Sequence, residues 1–245
     1  MESMGEASFC QALSDVLAAC GMGELYTPAA GAKSYALTVR LRAENERYDL
    51  TNIRDERGII LRHFADSLLL CADLPVGARV LDVGCGAGFP ALPLAIFRPD
   101  LSVTAMDATE KRVRFVADSA GELGLSGLTA LCARAEDAAH TSLRESFDVV
   151  TARAVTELRK LAELCLPYVR VGGVFLPMKA TNAQEELSAA GAAIAALGGR
   201  PAGGRHASLT DGTETLTRSL IRVLKERKTP ASYPRPWAKI LKKPL

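Results

Sequence analysis

The fold is decided by one short stretch, Val80-Leu-Asp82-Val-Gly84-Cys-Gly86-Ala-Gly88-Phe-Pro90. The run Arg79–Val83 is short and mostly apolar, which is typical of a buried strand, and a glycine-rich turn follows it. The apolar residues around the end of this turn predict a helix over residues 89–97. A strand, a glycine turn and a helix in this order are typical of an α/β domain, in which ligands bind beyond the carboxyl ends of parallel strands.

The chain after this stretch continues to alternate between strand and helix patterns. Residues 215–224 also alternate like a strand and are expected to close a hairpin with a strand before Leu209. The alternation predicts an α/β fold: a doubly wound, mostly parallel sheet with helices on both faces. The further predicted strands are 101–106, 128–132, 147–151 and 172–178, and the predicted helices are 109–123, 157–169 and 183–197.

The segment before the sheet contains only helical patterns. The spacing of its apolar residues predicts helices over 3–20, 33–48 and 56–72. We therefore predict three parts of the chain. They are a helical N-terminal extension over 1–75, a ligand-binding core over 76–228, and a basic tail over 229–245 that packs on the core or extends from it.

The composition excludes several classes of protein. With 48% hydrophobic and 24% charged residues over 245 positions, the chain is neither fibrous nor disordered. It has no apolar run of the roughly 18 residues that a membrane helix needs. Its six cysteines form no C-x-x-C pair and have no histidine at metal-ligand spacing, so we expect no metal site and a reducing compartment. The N-terminus lacks the pattern of a signal peptide, and a cytoplasmic location is expected.

Positive charge is concentrated at the C-terminus. The formal net charge of the chain is only +2, yet residues 218–245 hold nine basic side chains and one acidic side chain. Such tails often contact polyanions, although a solvated terminus is the simpler alternative. The cations expected to neutralise phosphates are Arg222, Lys225, Arg227, Lys228, Arg235, Lys239, Lys242 and Lys243.

The glycine loop is compatible with two classes of ligand. Dinucleotide enzymes use G-x-G-x-x-G/A, whereas the spacing here is G-x-G-x-G, preceded by Asp82. An acid at that position suits a ligand with an ammonium group, and Asp107 at the end of the second strand suits ribose hydroxyls. The combination resembles class I S-adenosylmethionine (SAM) methyltransferases, with a nicotinamide cofactor or a structural turn as alternatives. The residues predicted to bind the cofactor from this pattern are Asp82, Gly84, Cys85, Gly86, Gly88, Phe89, Asp107 and Thr109.

Several of these residues also have a purely structural interpretation. Asp82 would then cap the following turn, and Asp107 would be a surface acid at a strand end. Cys85 is mainly a small loop residue, with a reactive thiol as the alternative. Thr109 is expected to be the N-cap of the helix that follows it.

A closer resemblance is spread over the chain from about residue 40 to the C-terminus. The segments that carry it are, in order, Asp49–Asp55, Arg62–Ser67, Asp82–Pro90, Ala152–Val155, Pro177–Lys179, Thr229–Arg235 and Lys243–Leu245. With these segments in this order, the chain resembles the GidB/RsmG family, bacterial methyltransferases that modify N7 of a guanine in 16S ribosomal RNA. The resemblance implies SAM as cofactor, no metal, 16S rRNA or the small ribosomal subunit as partner, and no membrane; a monomer is the default expectation.

The resemblance also implies roles for individual residues. Gly84 and Phe89 would line the SAM pocket, Ala135 and Glu136 would contact the adenine side, and Arg153 would lie between cofactor and RNA. The residues matching family positions for catalysis are His63, Asp66 and Arg153, and those for RNA binding are Asn45, Arg62, Arg134, Lys179 and Arg218. A packing histidine and an ordinary ion pair are the alternatives for His63 and Arg153. The chain departs from the family pattern at Glu44, Asp49, Ala91 and Ala180.

The chemistry of guanine N7 sets one further expectation. N7 carries a lone pair and no proton, so its methylation does not require a general base. The N-P-P-Y type tetrapeptide of exocyclic amine methylation is absent after the fourth strand, where Thr151-Ala-Arg-Ala stands. The rival interpretations are a SAM enzyme for a small molecule or protein and a non-catalytic RNA adaptor.

The aromatic residues of the tail have two interpretations. Tyr233 and Trp237 would stack on RNA bases or anchor the tail, and anchoring is favoured for Trp237. We predict that trimming residues 229–245 weakens RNA binding with little change in SAM affinity, whereas equal loss of both would mean that the tail is structural.

Overall fold

The computed structural model describes residues 4–153, 155–179 and 183–245. Ala154 and Ala180, which belong to segments discussed above, lie outside the described residues. The strands are β1 (Arg79–Val83), β2 (Ser102–Asp107), β3 (Leu128–Cys132), β4 (Phe147–Arg153), β5 (Val169–Lys179), β6 (Gly199–Thr210) and β7 (Thr215–Lys225). They form a seven-stranded sheet in the order β3-β2-β1-β4-β5-β7-β6.

The sheet is mostly parallel, as the alternating pattern predicts. Strands β1 to β5 run parallel, and β7 pairs antiparallel with β5 and with β6. The predicted hairpin is confirmed, with β6 ending at Thr210 and β7 beginning at Thr215. The carboxyl ends of β1, β2 and β4 therefore meet at one edge of the sheet, and the order reverses between β1 and β4, where α/β sheets bind ligands.

Helices cover both faces of the sheet. Because side chains alternate along a strand, Val80 of β1 joins one buried cluster and Leu81 joins the other. The α-helices are α1 (Glu6–Ala19), α2 (Pro28–Tyr48), α3 (Glu56–Ile59), α4 (Asp66–Leu68), α5 (Ala91–Phe97), α6 (Glu110–Glu122), α7 (Ala135–Ala138), α8 (Leu158–Cys165), α9 (Ala183–Ala196) and α10 (Trp237–Lys242). The cluster with Val80 contains apolar residues of α1, α2, α5 and α6, and the cluster with Leu81 those of α8, α9 and α10.

The predicted helix over 56–72 is not a regular α-helix. A π-helical turn, Ile60–Ala65, separates α3 from α4, and a 3-10 turn, Leu69–Asp73, follows. Such π turns are frequent at functional sites. Asp55 is the N-cap of α3, and its Oδ1 accepts a hydrogen bond from the Gly58 amide at 2.7 Å.

The N-terminal helices share a core with the sheet. Phe9 of α1 and Leu37 of α2 belong to the same buried cluster as Val80. The division of the chain at residue 75 stays a prediction. Within the described ranges, no helix is long and apolar enough to span a membrane.

Candidate active site

The glycine loop is fixed to the ends of two strands by backbone hydrogen bonds. The amides of Gly84 and Cys85 both donate to the Met106 carbonyl of β2, at 2.8 and 2.9 Å. Gly84 and Gly86 have φ values of 74° and 57°, in the left-handed region that favours glycine. The chain can therefore turn sharply at the sheet edge and leave its backbone open to a ligand.

Asp107 braces the loop against the start of α6. Its Oδ2 accepts from the Gly86 amide at 3.0 Å, and its Oδ1 accepts from the Thr109 amide at 2.9 Å. Thr109 is the N-cap residue of α6 by position, but its side chain makes no capping hydrogen bond. The prediction that Thr109 is the N-cap residue of this helix is therefore confirmed for its position, although its side chain does not cap the helix.

Asp82 is fully buried at the end of β1. Its Oδ2 accepts from the Ala91 amide at 3.2 Å, so it caps α5, whereas its Oδ1 has no hydrogen-bond partner among the described residues. Burial raises the pKa of this carboxyl to about 7, and Arg153 opposes the shift. The capping alternative is confirmed for one oxygen, and the other is a buried acceptor without a partner.

A cavity of about 410 Å³ opens beside the loop. Its size is within the range of small-molecule sites, and it lies at the carboxyl ends of β1, β2 and β4. Its lining residues are Val83, Gly84, Met106, Asp107, Ala108, Thr109, Arg112, Ala133, Arg134, Ala135, Glu136, Arg153, Val155, Thr156, Leu164 and Trp237.

The cavity wall requires glycine at position 84. A Cβ atom at Gly84 would stand 2.7 Å from Cγ2 of Val155, which also lines the cavity. The lining combines polar side chains, among them Asp107 and Arg112, with large apolar ones, among them Leu164 and Trp237. This set of groups fits SAM, which combines ribose hydroxyls and charged groups with a flat adenine ring.

The structure brings together only part of the predicted cofactor set. Gly84, Asp107, Thr109, Ala135, Glu136 and Arg153 line the cavity. Five predicted cofactor residues, Asp82, Cys85, Gly86, Gly88 and Phe89, are absent from its described lining. Cys85 is buried, and burial raises the pKa of its thiol well above the usual value. Its thiol therefore stays protonated, which favours the small-residue interpretation.

Arg153 connects the cavity to the π-helical turn. It stands at the end of β4 and donates to Asp66 Oδ2 at 3.1 Å and to the Arg62 carbonyl at 3.0 Å. Arg218 of β7 donates to the other Asp66 oxygen at 2.8 Å. Asp66 is 2% exposed, so one buried carboxylate holds two guanidinium groups. The π turn places Asp66 and His63 so that both face Arg153.

His63 is a neutral, oriented imidazole. Its Nδ1 is 3.3 Å from Arg153 Nη2, and its Nε2 is 2.8 Å from Thr51 Oγ1. Because a guanidinium can only donate, Nδ1 accepts and the ring proton sits on Nε2, donating to Thr51. Burial and the charge of Arg153 lower the pKa of His63 to about 3. Its ring stacks on Phe89, with centroids 4.4 Å apart.

Four residues predicted to bind RNA are engaged within the protein. Asn45 is buried and brackets Thr51, accepting from its amide and donating to its carbonyl at 2.8 Å each. Lys179 Nζ lies 2.7 Å from Glu186 Oε2 and donates to the Thr156 carbonyl. Arg62 pairs with Glu214 and Arg218 with Asp66. Arg134, with a side chain 64% exposed, is the most accessible of the predicted set.

Two of the cations predicted to neutralise phosphates, Lys225 at the end of β7 and Arg235 in the tail, are unavailable, contrary to the prediction. Lys225 is fully buried and donates to the Leu166 carbonyl at 2.6 Å. Arg235 makes a two-pronged ion pair with the fully buried Glu163. Tyr233 and Trp237 pack against the second buried cluster, which confirms that they anchor the tail.

Some residues of the site escape the sequence patterns. Val155 and Thr156 follow β4 directly, so the rule that ligands bind at strand ends would have found them. Arg112 is one helical turn after Thr109 on α6 and could have been found similarly. Leu164 and Trp237 carry no local signal, because only the packing of α8 and α10 brings them to the cavity.

Comparison with known proteins decides the family. The family model of GidB, rRNA small subunit methyltransferase G, matches residues 32–208. The chain belongs to the GidB family. It is 45% identical over 206 residues to ribosomal RNA small subunit methyltransferase G of Lactobacillus delbrueckii subsp. bulgaricus, covering 82% of this chain and 85% of that protein. It is 46% identical over 202 residues to the Deinococcus radiodurans protein of the same name, covering 81% and 79%.

Solved structures agree on the fold of this GidB-family chain. A SAM-dependent methyltransferase from Aquifex aeolicus superposes with a TM-score of 0.53 at 18% identity, covering 75% of this chain and 98% of that one. A 16S rRNA (adenine(1408)-N(1))-methyltransferase from Catenulisporales acidiphilia gives 0.51 at 17% identity, covering 67% and 93%. The predicted class I methyltransferase fold is confirmed. Across the described ranges, no group of three or more His, Cys, Asp or Glu side chains could hold a metal ion.

Proposed function

We propose that this protein transfers a methyl group from SAM to N7 of a guanine in the 16S RNA of the small ribosomal subunit. One observation carries the proposal. Arg153 lines the cofactor cavity and also bonds to Asp66 and to His63 on the opposite side. A cofactor in the cavity and a nucleotide at this polar cluster would therefore meet at Arg153. The GidB relatives are named for ribosomal RNA of the small subunit.

The cofactor site follows from the polarity of the cavity. SAM, when bound, supplies an activated methyl group on a sulfonium centre. Asp107 is positioned at the end of β2 to accept from ribose hydroxyls, and the backbone at Gly84 is open to close approach. Asp82 is absent from the described lining, but it is a buried carboxyl next to the loop whose Oδ1 has no hydrogen-bond partner among the described residues, and an acid at this position suits a cationic ligand.

The chain has to orient the guanine and manage charge. The N7 lone pair attacks without losing a proton, so no general base is needed. Neutral His63 is consistent with this, because both ring nitrogens are already engaged. Its Nε2 donates to Thr51 and its Nδ1 accepts from Arg153, so the ring is not free to act as a base. We assign Asp66 and His63 the role of positioning Arg153, and Arg153 the role of orienting the nucleotide toward the cavity. The purine becomes cationic on methylation, and the Asp66 carboxylate offsets part of the positive charge of the two guanidinium groups that it binds.

RNA contact is assigned to the exposed cations. Arg134 is exposed at the cavity rim. Lys228, Lys239, Lys242 and Lys243 are exposed in or near the tail and form no ion pair with described residues. These four lysines can approach phosphates without breaking an ion pair to the described residues. Because ribosomal RNA is the proposed substrate, we also propose a cytoplasmic location. We further propose that the protein is a monomer, which light scattering can test.

The direct test is methyl transfer from tritiated SAM. The protein is incubated with free 16S rRNA, small ribosomal subunits or a metabolite mixture, and the labelled base is identified. We expect label in alkali-labile 7-methylguanine of the rRNA. Label in another base, in a metabolite or nowhere would overturn the proposal.

A pair of variants tests the role of Arg153. Arg153→Lys keeps the charge but cannot make the same forked contacts, and we expect a large loss of transfer. Arg170→Lys is the matched control, since Arg170 pairs with Asp148 near the opposite end of the strands. Equal activity of both variants would remove Arg153 from the mechanism.

A further inference from the structure

The C-terminal helix contributes a wall to the cofactor cavity. Trp237, the first residue of α10, lines the cavity and is the single tryptophan of the chain. Helix α10 packs on α8, and so does α7. Each of these neighbouring helices supplies lining residues, Ala135 and Glu136 from α7 and Leu164 from α8. The indole therefore belongs to the part of the wall that α7, α8 and α10 form together.

A buried ion pair holds the segment that carries Trp237. Arg235 donates from Nε to Glu163 Oε1 at 2.8 Å and from Nη2 to Oε2 at 2.6 Å. The Arg235 amide also donates to Glu163 Oε1, at 2.9 Å. Glu163 is fully buried, and it directly precedes the cavity residue Leu164. Residue 235 is thus fixed beside the cavity, two positions before the indole.

Other bonds fix the segment on both sides of this pair. Arg144 donates to the carbonyls of Thr229, at 2.8 Å, and Tyr233, at 2.9 Å. Arg159 of α8 donates to the Leu245 carbonyl at 2.8 Å. Ile240 of α10 is fully buried. The wall is therefore preorganised, which is the condition under which an aromatic contact adds most to affinity.

We propose that Trp237 is a cofactor-binding residue whose indole contacts the adenine ring of SAM. The adenine is the flat part of the ligand, and Trp237 and Leu164 are large apolar lining residues on two helices in contact, α10 and α8. The lining also contains Asp107 and Arg112, which match hydroxyls and charges. The inference rests on the proposed function, because it takes SAM as the ligand. It assigns the tail a role in cofactor binding in addition to any role in RNA binding.

This assignment changes the expected result of trimming the tail. Deleting residues 229–245 would remove Trp237 together with the Arg235 clamp. We therefore expect the truncated protein to lose SAM affinity as well as RNA affinity, contrary to the expectation from the sequence alone.

The test uses the single tryptophan as its own reporter. S-adenosylhomocysteine is titrated into the full-length protein while the Trp237 emission and the heat of binding are recorded. We expect the emission to change with the same Kd as the heat. Trp237→Leu should weaken binding about five- to fiftyfold, and Trp237→Phe should stay within about threefold of the natural protein. Leu241→Ala, on the exposed side of the same helix, is the matched control and should bind normally.

Each outcome decides the proposal. Circular dichroism identifies the variants that fold. If Trp237→Leu does not fold, the affinity of Trp237→Phe and the emission of the natural protein decide whether the proposal holds. Binding measured by heat without a change in emission would overturn the inference, as would unchanged affinity of a folded Trp237→Leu variant. If the natural protein fails to bind S-adenosylhomocysteine at all, the proposed function falls and this inference with it.

Discussion

Replacing His63 by glutamine tests whether the imidazole stays neutral in the folded protein. His63 is 7% exposed and stacked on Phe89, with Arg153 donating to its Nδ1. Protonation would place a second positive charge beside that guanidinium and break the bond. Glutamine retains a donor and an acceptor but does not titrate, so the variant separates the titration from the hydrogen bonds.

The magnitude follows from the difference in pKa between the two states. Burial and Arg153 lower the pKa from 6.5 to about 3. Between these values the unfolded chain binds a proton that the folded protein does not, so the free energy of unfolding rises with pH by about 1.4 kcal/mol per unit. From pH 7 to pH 5 the natural protein should lose about 2 kcal/mol at this site. The His63→Gln variant lacks this loss.

The assay is urea unfolding of both proteins at pH 7 and pH 5, followed by circular dichroism. At pH 7 the variant should be less stable by about 1–2 kcal/mol, because its side chain replaces the ring imperfectly. At pH 5 this gap should close to roughly zero. His206→Gln is the matched control, since it removes another of the three histidines of the chain at a β6 position. A gap at position 63 that stays constant between the two pH values would refute the reasoning.

Three further substitutions follow from the same contacts. Asp66→Asn should lower the free energy of unfolding by about 1.5–3 kcal/mol in urea, because two guanidinium groups lose their charged acceptor; a change below about 0.5 kcal/mol would contradict this. Gly84→Ala should weaken S-adenosylhomocysteine binding in calorimetry far more than Gly86→Ala, since only the first Cβ meets a neighbour, at 2.7 Å; equal losses would place the effect in backbone strain. Glu163→Gln should weaken S-adenosylhomocysteine binding, because it weakens the ion pair with Arg235 that holds the tail. Full affinity of this variant would show that the ion pair does not contribute to the cavity.

The sequence by itself determined the elements and one half of the site. The glycine loop, the acids at the ends of β1 and β2, and the alternation of strands and helices are local patterns. They predicted the parallel sheet, the closing hairpin and a ligand site at the carboxyl edge, because parallel strands bring their ends to one place. Gly84, Asp107 and Arg153 line the cavity as the patterns and the family resemblance implied.

Tertiary structure decided which polar groups meet. Arg153 and Asp66 are 87 residues apart in sequence, and only the packing of the π-helical turn against β4 makes them partners. Other tertiary contacts buried Lys225 against the Leu166 carbonyl and paired Arg235 with Glu163, so two of the cations predicted to contact phosphates have partners inside the protein. The packing of α10 on α8 brought Trp237 to the cavity. A charge count or a helical period depends on neighbours along the chain, whereas burial and ion pairing depend on neighbours in space.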